Sequence, residues 1–271
     1  MLRASPELKA MIKAAQVAGD GLLQRFGQLG ELVARTKSGP ADLVSIADEE
    51  AERSTREILG KAQPSFGFIG EEGGTTGGSD DAQSWIVDPL DGTTNFLFGT
   101  PLWGVNIALA REGEVVAGVT WLPVLREMFV AAKGEGAWLN SEPIRVSIRN
   151  RLVDSVLGCG IPFAGKPDHP VFAREMALLS GEVAGIRRTG ACSVDMAYVA
   201  AGRWDAYWER SLCAWDMAPG IILVREAGGV ASSVTGGPVD VHGGNVCVSN
   251  GHIQAALVER LNRALETSST Q

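Results

Sequence analysis

Two hairpin signals set back to back between Trp103 and Val146 constrain this chain more than any other feature. In GVNIALAREGEVVAGVTWLP, apolar residues return at every second position on both sides of Glu112-Gly113. The stretch EMFVAAKGEGAWLNSEPIRVS repeats the pattern. Period-two patterning broken by Gly-containing turns predicts antiparallel strands, so the middle of the chain is committed to a sheet. A half-buried sheet needs a cover, and the residues before it supply helical signals. Leu8, Met11, Ile12, Ala15, Leu22 and Phe26 recur near helical spacing and predict an amphipathic helix over residues 7–26. A Gly-Pro loop leads to a second helix, with Ser45 and Asp48 spaced as a capping box and Gly60 near its end. FGFIG then reads as a short strand that opens into a Gly-rich loop.

Past Arg149 the pattern alternates. Strands are expected over 155–158, 185–188, DAYWE and NVCVSN, and helices over 171–179, 194–201, 216–227 and 252–265. Gly228-Gly229 stops the third of these helices, and the tail ETSSTQ is expected to fray. No repeat or low-complexity linker interrupts the 271 residues. The weakest seam falls near residue 150. It separates an α+β half (1–149, paired helices on an antiparallel sheet) from an α/β half (150–271), the two packed tightly as one unit.

The formal net charge of −8 argues against direct binding of nucleic acid or an anionic membrane. It leaves room for a small phosphorylated substrate, because a bound cation inverts the charge of a local site. The four cysteines have no CxxC spacing, which points away from a zinc ribbon and towards a reducing, cytoplasmic setting. No signal-peptide core or membrane span is expected.

WIVDPLDGTTNF, residues 85–96, sets a puzzle inside this frame. An apolar strand end delivers Asp88 and Asp91, and the Gly92-Thr93-Thr94 turn that follows suits an anion the aspartates would repel. Glu71 and Glu72 end the preceding strand, and Asp216 opens a later helix. Each piece has a plain reading alone: Asp-Pro-x-Asp-Gly as a surface turn, Glu-Glu as a solvated loop, Trp215-Asp216 as an N-cap. Together they describe acids converging in one crevice, where mutual repulsion raises their pKa values unless a cation is bound. Hard oxygen ligands select Mg²⁺ or Mn²⁺ over zinc. Carboxylate-held metal beside an anion-binding turn describes phosphoryl chemistry. Asp42 and Asp48 read as loop and helix-cap residues, Cys192 as a small packing residue rather than a nucleophile, and Arg187 and Arg188 as solvated or interface residues, with a place facing the substrate as the alternative. The three histidines are given no role.

Asp88-Pro89-Leu90-Asp91-Gly92-Thr93-Thr94-Asn95-Phe96 resembles the first signature of the inositol monophosphatase family, and Trp215-Asp216-Met217-Ala218-Pro219-Gly220 its second. The Gly70-Glu71-Glu72 loop and the Lys37–Val44 segment are similar too, so the resemblance runs from about residue 5 to 265. It implies the αβαβα layered sandwich of the lithium-sensitive, Mg²⁺-dependent sugar-phosphatase superfamily. It also implies two or three Mg²⁺ ions, with Mn²⁺ as a substitute and Li⁺ as an inhibitor. Glu71, Asp88 and the Leu90 carbonyl would hold one ion, and Asp88, Asp91 and Asp216 a second. Glu71 with the Thr93 hydroxyl would orient and deprotonate the attacking water. Gly92, Thr93 and Thr94 would meet the phosphate, and Asp91, Gly190, Ala191, Cys192, Glu209 and Asp216 the alcohol. Lys37 would lie on a loop over the metals, with Glu72 near a third ion.

Ala191-Cys192 stands where a Thr-Ala pair is common among inositol-specific relatives, a departure that bears on the substrate and not on the reaction. Inositol 1-phosphate is therefore the leading expectation. Histidinol phosphate comes next, then fructose 1,6-bisphosphate and NADP. A 3′-phosphoadenosine phosphate phosphatase is disfavoured, since those relatives carry Lys-Glu where Thr94-Asn95 stand. The resemblance further implies a homodimer. It also carries a non-enzymatic alternative, an accessory protein of transcription or ribosome maturation.

Overall fold

The computed structural model describes residues 4–26, 35–36, 43–44 and 46–266. Lys37 and most of the Lys37–Val44 segment, the expected Ser45 cap and residues 267–271 of the tail lie outside the described residues. Helix α1 (Pro6–Arg25) opens where the chain supplies its caps. Ser5 Oγ accepts the Leu8 amide at 3.1 Å, Pro6 takes a first-turn position, and Glu7 and Arg25 sit at the ends the helix dipole favours. Its buried stripe of Leu8, Met11, Ala15 and Leu22 is the one the spacing predicts. The short strands β1 (Arg35–Thr36) and β2 (Leu43–Val44) pair antiparallel before helix α2 (Ile46–Ala62), which has Gly60 near its end as expected.

Eight strands follow: β3 (Phe66–Gly70), β4 (Gly74–Thr76), β5 (Asp80–Asp91), β6 (Gly104–Arg111), β7 (Glu114–Leu122), β8 (Glu127–Ala132), β9 (Gly136–Leu139) and β10 (Glu142–Ile144). They form one sheet in the order β10-β9-β8-β7-β6-β5-β3-β4, antiparallel except where β3 runs parallel to β5. Glu112 and Gly113, with φ of 51° and 80°, make the β6–β7 turn the sequence places there. The short helix α3 (Thr93–Leu97) interrupts the sheet between β5 and β6.

A second sheet holds β11 (Val156–Cys159), β12 (Gly185–Arg187), β13 (Ala206–Arg210), β14 (Val230–Ser232) and β15 (Asn245–Ser249), in the order β12-β11-β13-β15-β14. Helices α4 (His169–Leu179), α5 (Cys192–Ala200), α6 (Ala214–Glu226) and α7 (Gln254–Glu266) complete this part.

Three apolar cores map the layering. One joins α1 and α2 to the first sheet through Leu8, Met11, Trp85, Val87, Ile107 and Phe96. A second fills the space between the sheets, where Ile86 and Ala108 meet α5 and α6 through Met196, Met217 and Ile221. The third packs Leu157 and Trp208 against α4 and α7 through Leu179, Leu257 and Leu261. Trp85 and Val87 thus face one core and Ile86 the other, so the apolar run of β5 marks a strand buried on both sides. The result is the expected αβαβα sandwich.

Candidate active site

The two aspartates of the opening puzzle owe their placement to a bulge. Asp88 pairs with Asn106 and Asp91 with Gly104, so three steps along β5 oppose two along β6. Pro89 fits the irregularity because it has no amide to offer a ladder. Asp88 Oδ1 accepts the Leu90 amide at 3.0 Å, which bends the strand end over its own carboxylate. Gly92 then turns the chain at φ 90°, and a Cβ there would stand 3.0 Å from Ala191 Cβ and 3.2 Å from the Leu102 carbonyl. Only glycine fits both the conformation and the space.

The remaining acids, Glu71 and Asp216, arrive from two other elements. The Glu71 amide continues the parallel ladder beyond β3 to the Val87 carbonyl at 3.3 Å, which sets the Glu71 carboxyl beside that of Asp88. Asp216 lies in the first turn of α6, two residues inside the helix, so it does not open that helix as expected. Its Oδ2 accepts the Cys213 amide at 2.6 Å in a capping box. Asp91 Oδ2 accepts the Ser193 amide at the start of α5, also at 2.6 Å.

Electrostatics are severe here. Burial raises the Asp88 carboxyl well above its ordinary range, and Glu71, Asp91 and Asp216 push it further. Burial pushes Asp91 up to about 6 against the opposing hydrogen bonds from Ser193. Asp216 is raised well up by burial, then by Glu71 and Asp91. No side-chain cation neutralises the group among these causes.

A cavity of about 300 Å³ is lined by Glu71, Asp91, Thr93 and Asp216 together with Gly190, Ala191, Cys192 and Glu209, while Asp88 and Leu90 are buried and not part of its wall. Gly92 and Thr94 also line it. Every expected alcohol- and phosphate-side residue therefore reaches one space. Glu72 does not line it. The Glu72 amide instead donates to Glu52 Oε2 at 2.7 Å. Burial drives the Cys192 thiol well above its ordinary range, in keeping with packing rather than nucleophilic chemistry. Glu209, pushed up to about 7 by burial, accepts the Tyr207 hydroxyl.

Three further residues escape the sequence reading. Asp48 is no mere helix cap: it is fully buried, and its Oδ1 lies 3.4 Å from Thr93 Oγ1, which is also 3.1 Å from the Leu90 carbonyl. An isolated Asp in a first helical turn gives no sign of a partner 45 residues ahead. Lys166, which no motif marks, lines the cavity beside Arg188, an exposed residue that fits both its solvated and its substrate-facing readings. Asn95 Nδ2 donates to the carbonyls of Leu102 at 2.6 Å and Thr189 at 2.9 Å, tying α3 to the segment before Gly190.

The donor set suits a hard divalent cation. Buried, mutually repelling carboxylates need a counter-charge, and oxygen is the ligand they offer. Among the described residues no group of three or more His, Cys, Asp or Glu stands together closely enough to hold a metal ion. Mg²⁺ does not require such a group, since it usually takes one or two carboxylates and fills its shell with waters and phosphate oxygens. No described helix is long and apolar enough to cross a membrane.

Residues 4–269 match the inositol monophosphatase family. An inositol-1-monophosphatase of Rhizobium meliloti is 48% identical over 258 residues, covering 95% of this chain and 97% of that protein. The Nus factor SuhB of Pseudomonas aeruginosa is 39% identical over 97% of this chain and 98% of its own. The crystal structure of the extragenic suppressor protein suhB from Bartonella henselae superposes with a TM-score of 0.93 at 44% identity, covering 96% of this chain and 99% of that one. With a whole-length family match, shared layering and a site assembled from the family's two signatures, this chain belongs to the inositol monophosphatase family.

Proposed function

We propose that the protein is a Mg²⁺-dependent phosphatase that hydrolyses inositol 1-phosphate. The observation that carries the reading is the group of Glu71, Asp88, Asp91 and Asp216, buried at Asp88 and half-buried at the other three, beside the Gly92-Thr93 turn and a cavity that could admit an alcohol. These four side chains and the Leu90 carbonyl would hold two or three ions. When bound, Mg²⁺ offsets phosphate charge and makes water a better nucleophile. The amides of Gly92, Thr93 and Thr94 receive phosphate oxygens. The Thr93 hydroxyl takes a proton from the attacking water as its own moves to Asp48, and Glu71 holds that water in line. Glu209, Asp91 and Asp216 accept hydrogen bonds from the alcohol's hydroxyls, which carboxylates do well, while Gly190, Ala191 and Cys192 shape that wall. Free thiols at all four cysteines suit the cytoplasmic setting expected for the enzyme, and a homodimer is the expected assembly.

Lys166 and Arg188 on the alcohol side favour a second reading, a substrate with another anionic group such as fructose 1,6-bisphosphate or NADP. Phosphate release with Mg²⁺ from inositol 1-phosphate, histidinol phosphate, fructose 1,6-bisphosphate and NADP decides among them by kcat/KM. A preference of orders of magnitude for any of the last three sinks the inositol reading and leaves the chemistry standing. The Nus-factor relative supports a binding role alongside catalysis. A pull-down in which Asp91→Asn keeps a transcription-machinery partner would separate that role from the chemistry.

A further inference from the structure

Helix α2 places Asp48, Glu52 and Arg56 at intervals of four residues, on one helical face. Asp48 reaches Thr93. Glu52, one turn on, is only 4% exposed and yet is not part of the cavity wall. Its carboxylate is occupied by the turn after β3. Oε2 accepts the Glu72 amide at 2.7 Å, and Oε1 accepts the Gly73 amide at 2.9 Å. Arg56 Nη2 donates to the same Oε1 at 3.2 Å. The other arm of that guanidinium donates to Thr76 Oγ1 at 2.8 Å, and its centre lies 3.9 Å from the Phe68 ring centroid.

The fit leaves no slack. A Cβ on Gly70 would stand 2.5 Å from Glu52 Oε2, and one on Gly73 would stand 2.5 Å from Oε1. Gly70 and Gly73 bracket Glu71 and Glu72, so the carboxylate presses against the backbone on both sides of the acid that faces the cavity. Closing the hairpin does not require this. β3 and β4 pair through Gly70 and Gly74, and Gly74, the first residue of β4, takes the left-handed conformation at φ 65° where the chain leaves the turn. A buried carboxylate is unfavourable unless its hydrogen bonds are met, so one spent on a turn that closes without it calls for another purpose.

We infer that Glu52, clamped by Arg56, is a positioning residue that fixes where the Glu71 carboxylate stands. Through the Glu72 and Gly73 amides it holds the Glu71 turn against Asp88. Because it shares α2 with Asp48, it also ties that turn to the carboxylate behind the Thr93 hydroxyl. Four residues of helix are a stiff spacer of about 6 Å. The inference rests on the metal-dependent reading above and adds that Mg²⁺ affinity is set partly by a residue that touches neither ion nor substrate.

Glu52→Gln tests it. A carboxamide keeps the volume but offers one oxygen and an NH₂, so it cannot accept from both amides. The readouts are calorimetric titration of Mg²⁺ into metal-stripped protein and the Mg²⁺ activation curve of phosphate release. The expected result is Mg²⁺ binding weakened about tenfold, an activation midpoint raised to match, and kcat at saturating Mg²⁺ within about threefold of the parent. Glu57→Gln, on an exposed residue of the same helix paired with Lys61, leaves both curves in place. If Glu52→Gln does not fold, Arg56→Met loosens the clamp from a partly exposed side chain and shifts both curves the same way by a smaller factor. A folded variant with parental Mg²⁺ affinity overturns the inference, as does one whose loss lies wholly in kcat. A parent protein that neither binds nor needs Mg²⁺ overturns the functional reading and the inference together.

Discussion

Ser193 donates its backbone amide to Asp91 Oδ2 at 2.6 Å across 102 positions of sequence. Asp91 belongs to the end of β5 and Ser193 to the first turn of α5, so an acid of the first sheet is held by a helix that packs between the sheets. The bond works against the burial that pushes Asp91 up to about 6. Asn95 makes a similar span to the Thr189 carbonyl. The site therefore assembles only when both sheets are in place.

Asp91→Asn keeps an oxygen for the Ser193 amide and removes the charge. Mg²⁺-dependent phosphate release is expected to fall by at least about a hundredfold while the melting temperature stays close to that of the parent. Chelating the metal from the parent protein should have the same effect, reversed by Mg²⁺. Phosphate release that persists in the variant would remove Asp91 from the metal site.

Thr93 and Asp48 are expected to act as one unit. Thr93→Ala and Asp48→Asn should each lower kcat by about 10²–10⁴, and the double variant should be no slower than the worse single one. Rate losses that multiply in the double variant would show that the 3.4 Å contact carries no proton transfer.

Gly160→Ala reaches the alcohol side without touching the metal acids. A Cβ at this position would lie 1.8 Å from Glu209 Cδ, so the carboxylate must move. KM for inositol 1-phosphate should rise about tenfold with the Mg²⁺ activation midpoint unchanged. An unchanged KM would take Glu209 out of substrate recognition.

Glu209 also predicts a pH dependence of stability. Burial raises its folded-state pKa from 4.5 to about 7, partly offset by the Tyr207 hydroxyl. Between those values the folded state binds more protons than the unfolded state, so this group's contribution falls as pH rises through the window and levels off above it. The loss is on the order of 3 kcal/mol. Urea unfolding of metal-free parent and Glu209→Gln at pH 5 and pH 8 isolates the term: the variant should lose less stability on going to pH 8, and equal losses would refute it.

Asp205 ties together the chain between the two sheets. It is fully buried and accepts from Ser147 Oγ at 2.5 Å, Arg149 Nε at 2.7 Å and the Val156 amide at 2.7 Å. Asp205→Ala leaves these donors unmet and should reduce unfolding free energy by about 3 kcal/mol, with kcat retained in the protein that remains folded. Chemical denaturation beside steady-state kinetics checks both halves of that expectation.

The helices and strands were legible where the side-chain period was unambiguous. The α1 stripe and the β6–β7 hairpin match their expected spans within a residue or two, because burial on one face imposes 3.6 or 2.0 on the sequence. Boundaries failed where geometry outvoted local chemistry. Helix α6 starts two residues early because Asp216 caps its own helix from inside the first turn.

The site divides the same way. Glu71, Asp88, Asp91, Thr93 and Asp216 are legible in combination: a Glu-Glu strand end, Asp-Pro-x-Asp-Gly-Thr and Trp-Asp near a helix start each have a plain reading alone and point to metal-assisted chemistry only together. Asp48, Glu52 and Asn95 carry no local signal, since their partners lie on other elements up to 94 positions away. By itself the sequence determined that Asp88 and Asp91 meet an anion-binding turn, because those groups are neighbours along the chain, and the family resemblance added Glu71 and Asp216 and with them the class of chemistry. Only the tertiary structure decided which carboxylate stands beside Thr93, which carboxylate accepts the amides of the turn after Glu71 and which cations line the cavity. Those are matters of distance between separately folded segments, and packing of the sheets and helices sets them.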